Sequence, residues 1–292
     1  MSIAFIACVE AGRLERQTVL LCRSLRRFGG KYRDAPFFTF QPRAGLAVSS
    51  ASLHALRQLG VEHNTEVLND EFREYGVLNK VFVCARAEEL LTHHTLVFVD
   101  SDTVFVGEPS DLDLKQPKLV AVRPAESAFL NSTGPTDPHD NYWQATYRIC
   151  GIRNEAWVTT ELGRHVRAFF SAGLIATRRN ASLYRQWRDT FEMLVRSGHI
   201  HPTGLRRMDE VALAATLTPI FDSVALLDDR YNYLIYRRSW LASRWCNAQL
   251  SDLIHVHYRN SFSKPGFLET VEPPLDPGCE ILGWLKEFLP LD

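Results

Sequence analysis

Leu96-Val97-Phe98-Val99-Asp100-Ser101-Asp102-Thr103-Val104-Phe105-Val106 is the stretch on which the reading of this 292-residue chain turns. Its apolar, β-rich start reads as a strand buried on both faces, and two carboxylates one residue apart stand where that strand leaves the sheet. Like charges in a desolvated place repel, so the pair demands a cation, a cluster of donors or solvent at the strand's carboxyl edge. A divalent ion meets that demand, because Mg²⁺ or Mn²⁺ takes oxygen ligands and keeps positions open for phosphates. An isolated Asp-x-Asp is more often a plain turn. The strand in front of this one and the residues that follow it raise it above that.

Upstream, strands alternate with helices. Ile3 to Val9 reads as a first buried strand and Glu10-Ala11-Gly12 as its loop. From Arg13 to Phe28 the apolar positions Leu14, Val19, Cys22, Leu25 and Phe28 recur at near-helical spacing, and Gly29-Gly30 supply the stop. Pro36 to Phe40 reads as a second strand, Ser50 to Gly60 as a short helix, and Val61 to Leu68 as a third strand or edge segment. Asn79 to Leu91 reads as a helix with Val81, Phe82, Cys84, Ala85, Leu90 and Leu91 inward. Such alternation predicts an α/β fold with a mostly parallel, doubly wound sheet. Sheets of that kind bind ligands at the carboxyl ends of their strands, where Asp100 and Asp102 fall. Glycine-rich phosphate loops of the dinucleotide-binding and P-loop types are absent, which argues against both of those enzyme classes.

Downstream, Glu126 to Gly151 reads as a long polar loop with Asn141-Tyr142-Trp143 embedded in it, a functional loop by its length. His165 to Thr177 reads as one buried strand ending in Ala172-Gly173-Leu174-Ile175-Ala176, followed by a helix from an N-cap at Ser182 to about Arg196. Asp209-Glu210 open a further helix, Phe221 to Leu227 is a late strand, and Arg230-Tyr231-Asn232-Tyr233 is a loop. Ile254 to Tyr258 is a short alternating strand leading into the Asn260 to Gly266 loop, and Ile281 to Leu285 is a core helix or a contact surface.

Lys and Arg total 33 against 34 Asp and Glu, a net charge of -1, so no global field recruits nucleic acid or an anionic membrane. Cys8, Cys22, Cys84, Cys150, Cys246 and Cys279 form no C-x-x-C pair and read as reduced thiols in a reducing compartment. The apolar start lacks a basic region and meets Glu10 too soon for a signal peptide, and no run approaches the roughly 18 apolar residues of a spanning helix. The expectation is a cytoplasmic protein without a transmembrane segment, in which the sequons at Asn131 and Asn180 are chance matches.

Taken in order, Asp100-Ser101-Asp102, Ala172-Gly173-Leu174-Ile175, Asp209-Glu210 opening a helix, Tyr231-Asn232, then His257-Tyr258 with Lys264-Pro265 form a series. The series resembles the metal-dependent, nucleotide-sugar glycosyltransferases of the GT-A fold. It is most similar to the retaining group that includes glycogenin and the bacterial lipopolysaccharide galactosyltransferases. The resemblance runs from the first strand to about Gly266. It implies one GT-A domain over 1–292, a Rossmann-like, mostly parallel twisted sheet with flanking helices and an acceptor-binding subdomain. Residues 1–106 would be the nucleotide-binding half, and 107–292 the acceptor-binding and metal-completing half. The implied reaction moves a sugar, with retention, from a UDP-sugar to a hydroxyl of a glycan, lipid-linked or small-molecule acceptor. No oligomeric state follows.

The resemblance also implies a metal ion held by Asp100, Asp102 and His257. Two carboxylates with an imidazole suit Mn²⁺ somewhat better than Mg²⁺. His255, on the same strand face, is the competing ligand. Lys264 would place an ammonium by the leaving phosphate. Here, though, Asn260 stands where the family has glycine, and the histidine-to-lysine spacing is one residue longer. Ser171 replaces a family Asn that bonds the sugar, a shorter group with less reach. Asp209 and Glu210 would hold donor or acceptor hydroxyls, or supply a base if the enzyme inverted. Ala7, Cys8 and Val9 fall where the family packs uracil and ribose, with Glu10 and Arg13 beside them. Lys80 and Arg86 would reach phosphates, and Ser101 and Gly173 complete the donor-binding set. In the Glu126 to Gly151 stretch, an acceptor-binding flap, Tyr142, Trp143 and Tyr147 would stack on a sugar face.

Two rivals share the opening motif. Asp-x-Asp followed by Thr103-Val104 also opens haloacid-dehalogenase-like phosphatases, with Asp100 as nucleophile, Asp102 as acid/base and Asp228-Asp229 as late metal ligands. That motif normally lies on the first strand of its domain, whereas about a hundred residues of β-α structure precede it here. The altered histidine-to-lysine spacing and Ser171 suggest the other rival, a non-catalytic GT-A relative.

Overall fold

A computed structural model of the chain describes residues 2–241 and 243–291. Its strands are β1 (Ile3–Cys8), β2 (Phe37–Phe40), β3 (Val61–Asn64), β4 (Thr95–Val99), β5 (Thr103–Phe105) and β6 (Val120–Pro124). The later ones are β7 (Trp157–Thr159), β8 (His165–Arg167), β9 (Phe170–Arg178), β10 (Val224–Leu226), β11 (Tyr233–Leu234) and β12 (His255–His257). The helices that pack on them are α1 (Arg13–Phe28), α2 (Ser50–Gln58), α3 (Asn79–Leu90), α4 (Asp140–Ile149), α5 (Leu183–Arg196) and α6 (Met208–Leu217).

The central sheet runs β10-β6-β9-β4-β1-β2-β3 and is parallel except at β9, which pairs antiparallel with β4 and β6. Every residue of β4 is buried. Leu96 and Phe98 face the layer formed with α3, α5 and α6, while Val97 and Val99 face the layer of Leu21, Cys22 and Leu25 from α1 and Leu56 from α2. A strand with helices on both sides has no polar face, hence its unbroken apolar run. Each fully buried large apolar side chain contributes roughly 1.5–3 kcal/mol to holding the layers together.

Beyond Val99 the ladder closes with Asp100 N donating to Gly173 O at 2.9 Å. The chain then turns through Ser101-Asp102 into β5, the edge of a small sheet ordered β11-β12-β5. β5 pairs antiparallel with β12 so that Thr103 lies opposite His257 and Phe105 opposite His255. That register carries residues distant in sequence to the end of β4.

Several expectations change. His165 to Thr177 is two strands, because β8 pairs with β7 in a separate hairpin while β9 enters the main sheet. At the break Ala168 N bonds Ala156 O and Phe169 O accepts from Ala125 N, partners on different segments. The third strand stops at Asn64, and the late one shortens to β10 because Thr218–Ser223 winds into a 3₁₀ turn. Leu90 is exposed, and Phe82 and Leu91 are only partly covered. Ser182 precedes α5 in a left-handed conformation and makes no cap bond; its hydroxyl accepts from Arg185. The C-terminal segment forms a helix, Glu280–Lys286, whose Leu282 and Leu285 join the core of the small sheet. Among the described residues no helix is long and apolar enough to cross a membrane.

The largest departure lies between Glu126 and Gly151, which is not one loop. It contains α4, whose Trp143 is wholly buried with its indole N–H donating to Leu130 O at 2.6 Å. Tyr147 is buried beside it, and Tyr142 stacks on His199 with ring centroids 4.4 Å apart. These rings are structural, not a stacking platform. Trp143→Ala is therefore expected to cost about 3–5 kcal/mol, measured as a lower midpoint in urea unfolding. A ring on an open flap would leave the midpoint within about 0.5 kcal/mol of the parent.

Candidate active site

Asp100, Asp102 and His257 each offer a ligand atom, and these atoms all lie within 4.8 Å of one another. His257 Nε2 stands 3.3 Å from Asp102 Oδ1. Although burial opposes ionisation of Asp102, the imidazole beside it holds the carboxyl down at about 2. His255 is excluded by register: two residues along a strand move the side chain by ~6.6 Å. Its ring is buried against Phe105, centroids 4.8 Å apart, and neither nitrogen has a partner.

Behind the imidazole lies a support that was not assigned from the sequence. Asn232 Nδ2 donates to Ser171 Oγ at 2.6 Å, which leaves its Oδ1 to accept from His257 Nδ1–H at 3.0 Å. Nδ1 keeps its proton on Asn232 and Nε2 faces the carboxylates, where it pairs with Asp102 while protonated and can ligate an ion when it is not, the arrangement that orients metal-binding histidines. Asn232 sits at φ 49, and asparagine is among the few residues at ease in that left-handed region. A Cβ on Gly173 would lie 3.0 Å from Asn232 Oδ1 and 3.2 Å from both Asp100 Oδ2 and His257 Nδ1, so a larger residue would press these side chains aside by a few tenths of an ångström. Two carboxylates and a neutral imidazole nitrogen in a cradle of this size fit Mn²⁺ or Mg²⁺.

On the other side Lys80, from α3, places its ammonium 2.7 Å from Asp100 Oδ1, 2.9 Å from Oδ2 and 3.9 Å from Asp209 Oδ2. Burial works against that charge, but Asp100 and Asp209 more than restore it and raise the Lys80 pKa. Asp209 is 2% exposed and its Oδ1 has no partner. Burial pushes its carboxyl up to about 7, with Glu210 adding to the rise and Lys80 opposing it. Glu210 is half-buried and paired with Arg207 at 3.0 Å.

These groups open on a cleft of about 640 Å³ whose wall includes Lys80, Asp100, Asp102, Ser171, Gly173, Asp209, Glu210 and His257. The other expected site residues lie elsewhere. Ala7 and Val9 are wholly buried in and behind the sheet, and Cys8 is half-buried at the end of β1, its thiol pKa raised by burial and then by Glu10. Ser101 turns its hydroxyl to Cys8 O, Arg13 donates to Asn260 Oδ1, and Glu10 is held by Arg43. Lys264 is exposed and off the cleft wall. Arg86 is taken up by Glu66 and Glu89 away from the cleft, which corrects its expected reach to phosphates. Asp228 pairs with Arg230, and Asp229 with Arg123, neither at the cleft, so the phosphatase constellation is not assembled. Sequence reasoning also passed over Arg123, Arg237, Arg259 and the exposed Phe129 and Trp240 of the wall, scattered single residues with no shared motif.

Asn232→Gly keeps the left-handed backbone and removes only the amide. It is expected to weaken Mn²⁺ binding about 10- to 100-fold, followed by the loss of free-Mn²⁺ signal in paramagnetic resonance titrations. Gly173→Ala should act in the same direction. Unchanged Mn²⁺ affinity in both variants would remove the support assigned to Asn232.

Residues 5–218 match the family described as the Rhodobacterales glycosyltransferase domain. No curated protein sequence matches the chain. Among solved structures, the galactosyltransferase LgtC in complex with donor and acceptor sugar analogs superposes with a TM-score of 0.55 at 13% identity, covering 99% of this chain and 96% of that one. The apo WbbM bifunctional glycosyltransferase gives 0.57 at 13%, over 99% and 52%. The GlyE glycosyltransferase of Streptococcus pneumoniae TIGR4 gives 0.56 at 14%, over 99% and 60%. The chain thus spans about half the length of the WbbM structure. At such identities the likeness shows the fold, a GT-A fold, and the phosphatase reading falls with it. The match over residues 5–218 decides the family: the chain belongs to the Rhodobacterales glycosyltransferase domain family and is a glycosyltransferase.

Proposed function

We propose that the chain moves a sugar from a UDP-sugar to a hydroxyl acceptor, with a divalent ion, Mn²⁺ or Mg²⁺, held by Asp100, Asp102 and His257. The observation that carries this is the convergence of those three ligand atoms within 4.8 Å from segments far apart in sequence. In the transfer the bond between the sugar C1 and the β-phosphate oxygen breaks, its electron pair leaving on UDP. The acceptor oxygen bonds C1 and its proton passes to the departing diphosphate oxygen. A bound ion neutralises the departing diphosphate as a Lewis acid.

The chain's own residues do the positioning. Lys80 steadies Asp100, and Asn232 with Ser171 steadies His257. The unpartnered Oδ1 of Asp209 is a buried acceptor at the cleft wall and takes a sugar hydroxyl, since such atoms are rarely left without one. Retention follows the retaining group that the motif series resembles, and Glu210, tied to Arg207, does not stand free as a base. The nucleotide lies over Cys8 at the end of β1, backed by Ala7 and Val9 and flanked by Ser101 and Arg13. Residues 1–106 serve as the nucleotide-binding half and 107–292 complete the metal and acceptor sites. The acceptor is a glycan, a lipid-linked sugar or a small molecule. The lack of a disulfide among the described residues supports a reducing, cytoplasmic setting.

Calorimetric titration of UDP with and without Mn²⁺ tests the reading. Binding should need the metal, and Asp102→Asn should lower UDP-sugar turnover about 100-fold or more. Metal-independent UDP binding, or none, would overturn it. For stereochemistry, NMR of the product from an α-linked donor should show an α-linkage, and a β-linkage would reverse the retaining assignment.

A further inference from the structure

The cation expected to meet the leaving phosphate, Lys264, is exposed and stands off the cleft wall. A different cation occupies the wall next to the metal ligands. We propose that Arg259 does this work in place of Lys264, its guanidinium binding the diphosphate of the donor. The inference rests on the UDP-sugar reading of the site.

Arg259 follows His257 by two residues, and its turn is anchored from both directions. Tyr258 N donates to Asp102 O at 3.0 Å, tying the turn to the carboxylates. Gln17 Nε2 donates to Arg259 O at 3.3 Å, and Arg13 donates to Asn260 Oδ1, tying it to the first turns of α1. Helix α1 follows the end of β1, where the nucleotide is placed, and Asp102 is where the ion is placed. A diphosphate joining the two must pass this turn. Arg259 holds φ 52, a conformation costly for arginine and maintained by those bonds.

The Arg259 guanidinium lies over the Tyr236 ring, 4.9 Å from its centroid, and that of Arg237 lies 5.7 Å from the same ring. Among the described residues neither has a carboxylate partner, although Arg123, Arg164 and Arg207 on the same cleft are paired with Glu161, Glu126 and Glu210. Arg206, the remaining unpaired one, belongs to the segment that opens α6. Two guanidinium groups flanking one ring repel each other until an anion joins them, and their planar forks match phosphate oxygens.

The test is calorimetry in Mn²⁺ with UDP, uridine and inorganic pyrophosphate as titrants. Arg259→Gln should lose about tenfold or more in UDP affinity, the scale of one charge-assisted bond, with uridine affinity within about twofold of the parent. Arg259→Lys should recover part of the loss, and Lys264→Gln should keep UDP affinity within about twofold. Full UDP affinity in Arg259→Gln, an equal loss of uridine, or the large loss appearing in Lys264→Gln would overturn the assignment. Pyrophosphate separates this from the nucleotide reading. If the parent binds pyrophosphate through Arg259 but not UDP, the anion site stands and the nucleotide reading falls. Pyrophosphate binding indifferent to Arg259 overturns the anion site whatever UDP does.

Discussion

Repulsion between two carboxylates at the buried end of β4 is the constraint around which this molecule is arranged. Asp100 and Asp102 leave the sheet half-buried at the cleft wall, so water compensates them only in part. The fold answers each from a different direction. Lys80 reaches Asp100 from α3, and His257 reaches Asp102 from β12 across the β5–β12 pairing. The ligand atoms of both carboxylates and of His257 still lie within 4.8 Å of one another, and a Cβ at position 173 would crowd them.

From that division follows a second layer. An imidazole that ligates must present a lone pair, so its other nitrogen needs a fixed acceptor, which Asn232 supplies and Ser171 orients. Ser171, expected to bond the sugar, is therefore at least partly occupied in holding Asn232. Lys80 in turn stands close enough to Asp209 to sustain a buried carboxyl with one oxygen unclaimed. Each group at the cleft is explained by its neighbour, and the chain of dependence starts at Asp100-Ser101-Asp102.

Much of this was legible because burial on two faces writes itself as an uninterrupted apolar run, and β4 has one. The order of later motifs pointed to His257, but period-two alternation places His255 on the same face. Only the register, Thr103 opposite His257, separates them, and register is a tertiary fact. Trp143 was hidden for another reason: its helix is short and flanked by Gly134, Pro135, Pro138 and Gly151, whose turn signals outweighed the helical spacing of Trp143 and Tyr147. Lys264 failed to reach the cleft where the loop departs from the family spacing, and Arg259 carried no motif at all. Asn232 was legible as a member of the motif series and as a residue type that tolerates φ 49, but its place behind His257 was not.

The central claim is that the cradle beneath β4 holds a divalent ion through Asp100, Asp102 and His257. Anomalous diffraction at the manganese edge, from crystals grown with Mn²⁺ and UDP, tests it most directly. The account predicts one strong peak about 2 Å from a carboxylate oxygen of each aspartate and from His257 Nε2. A peak elsewhere, or one that leaves His257 outside bonding distance, would contradict it.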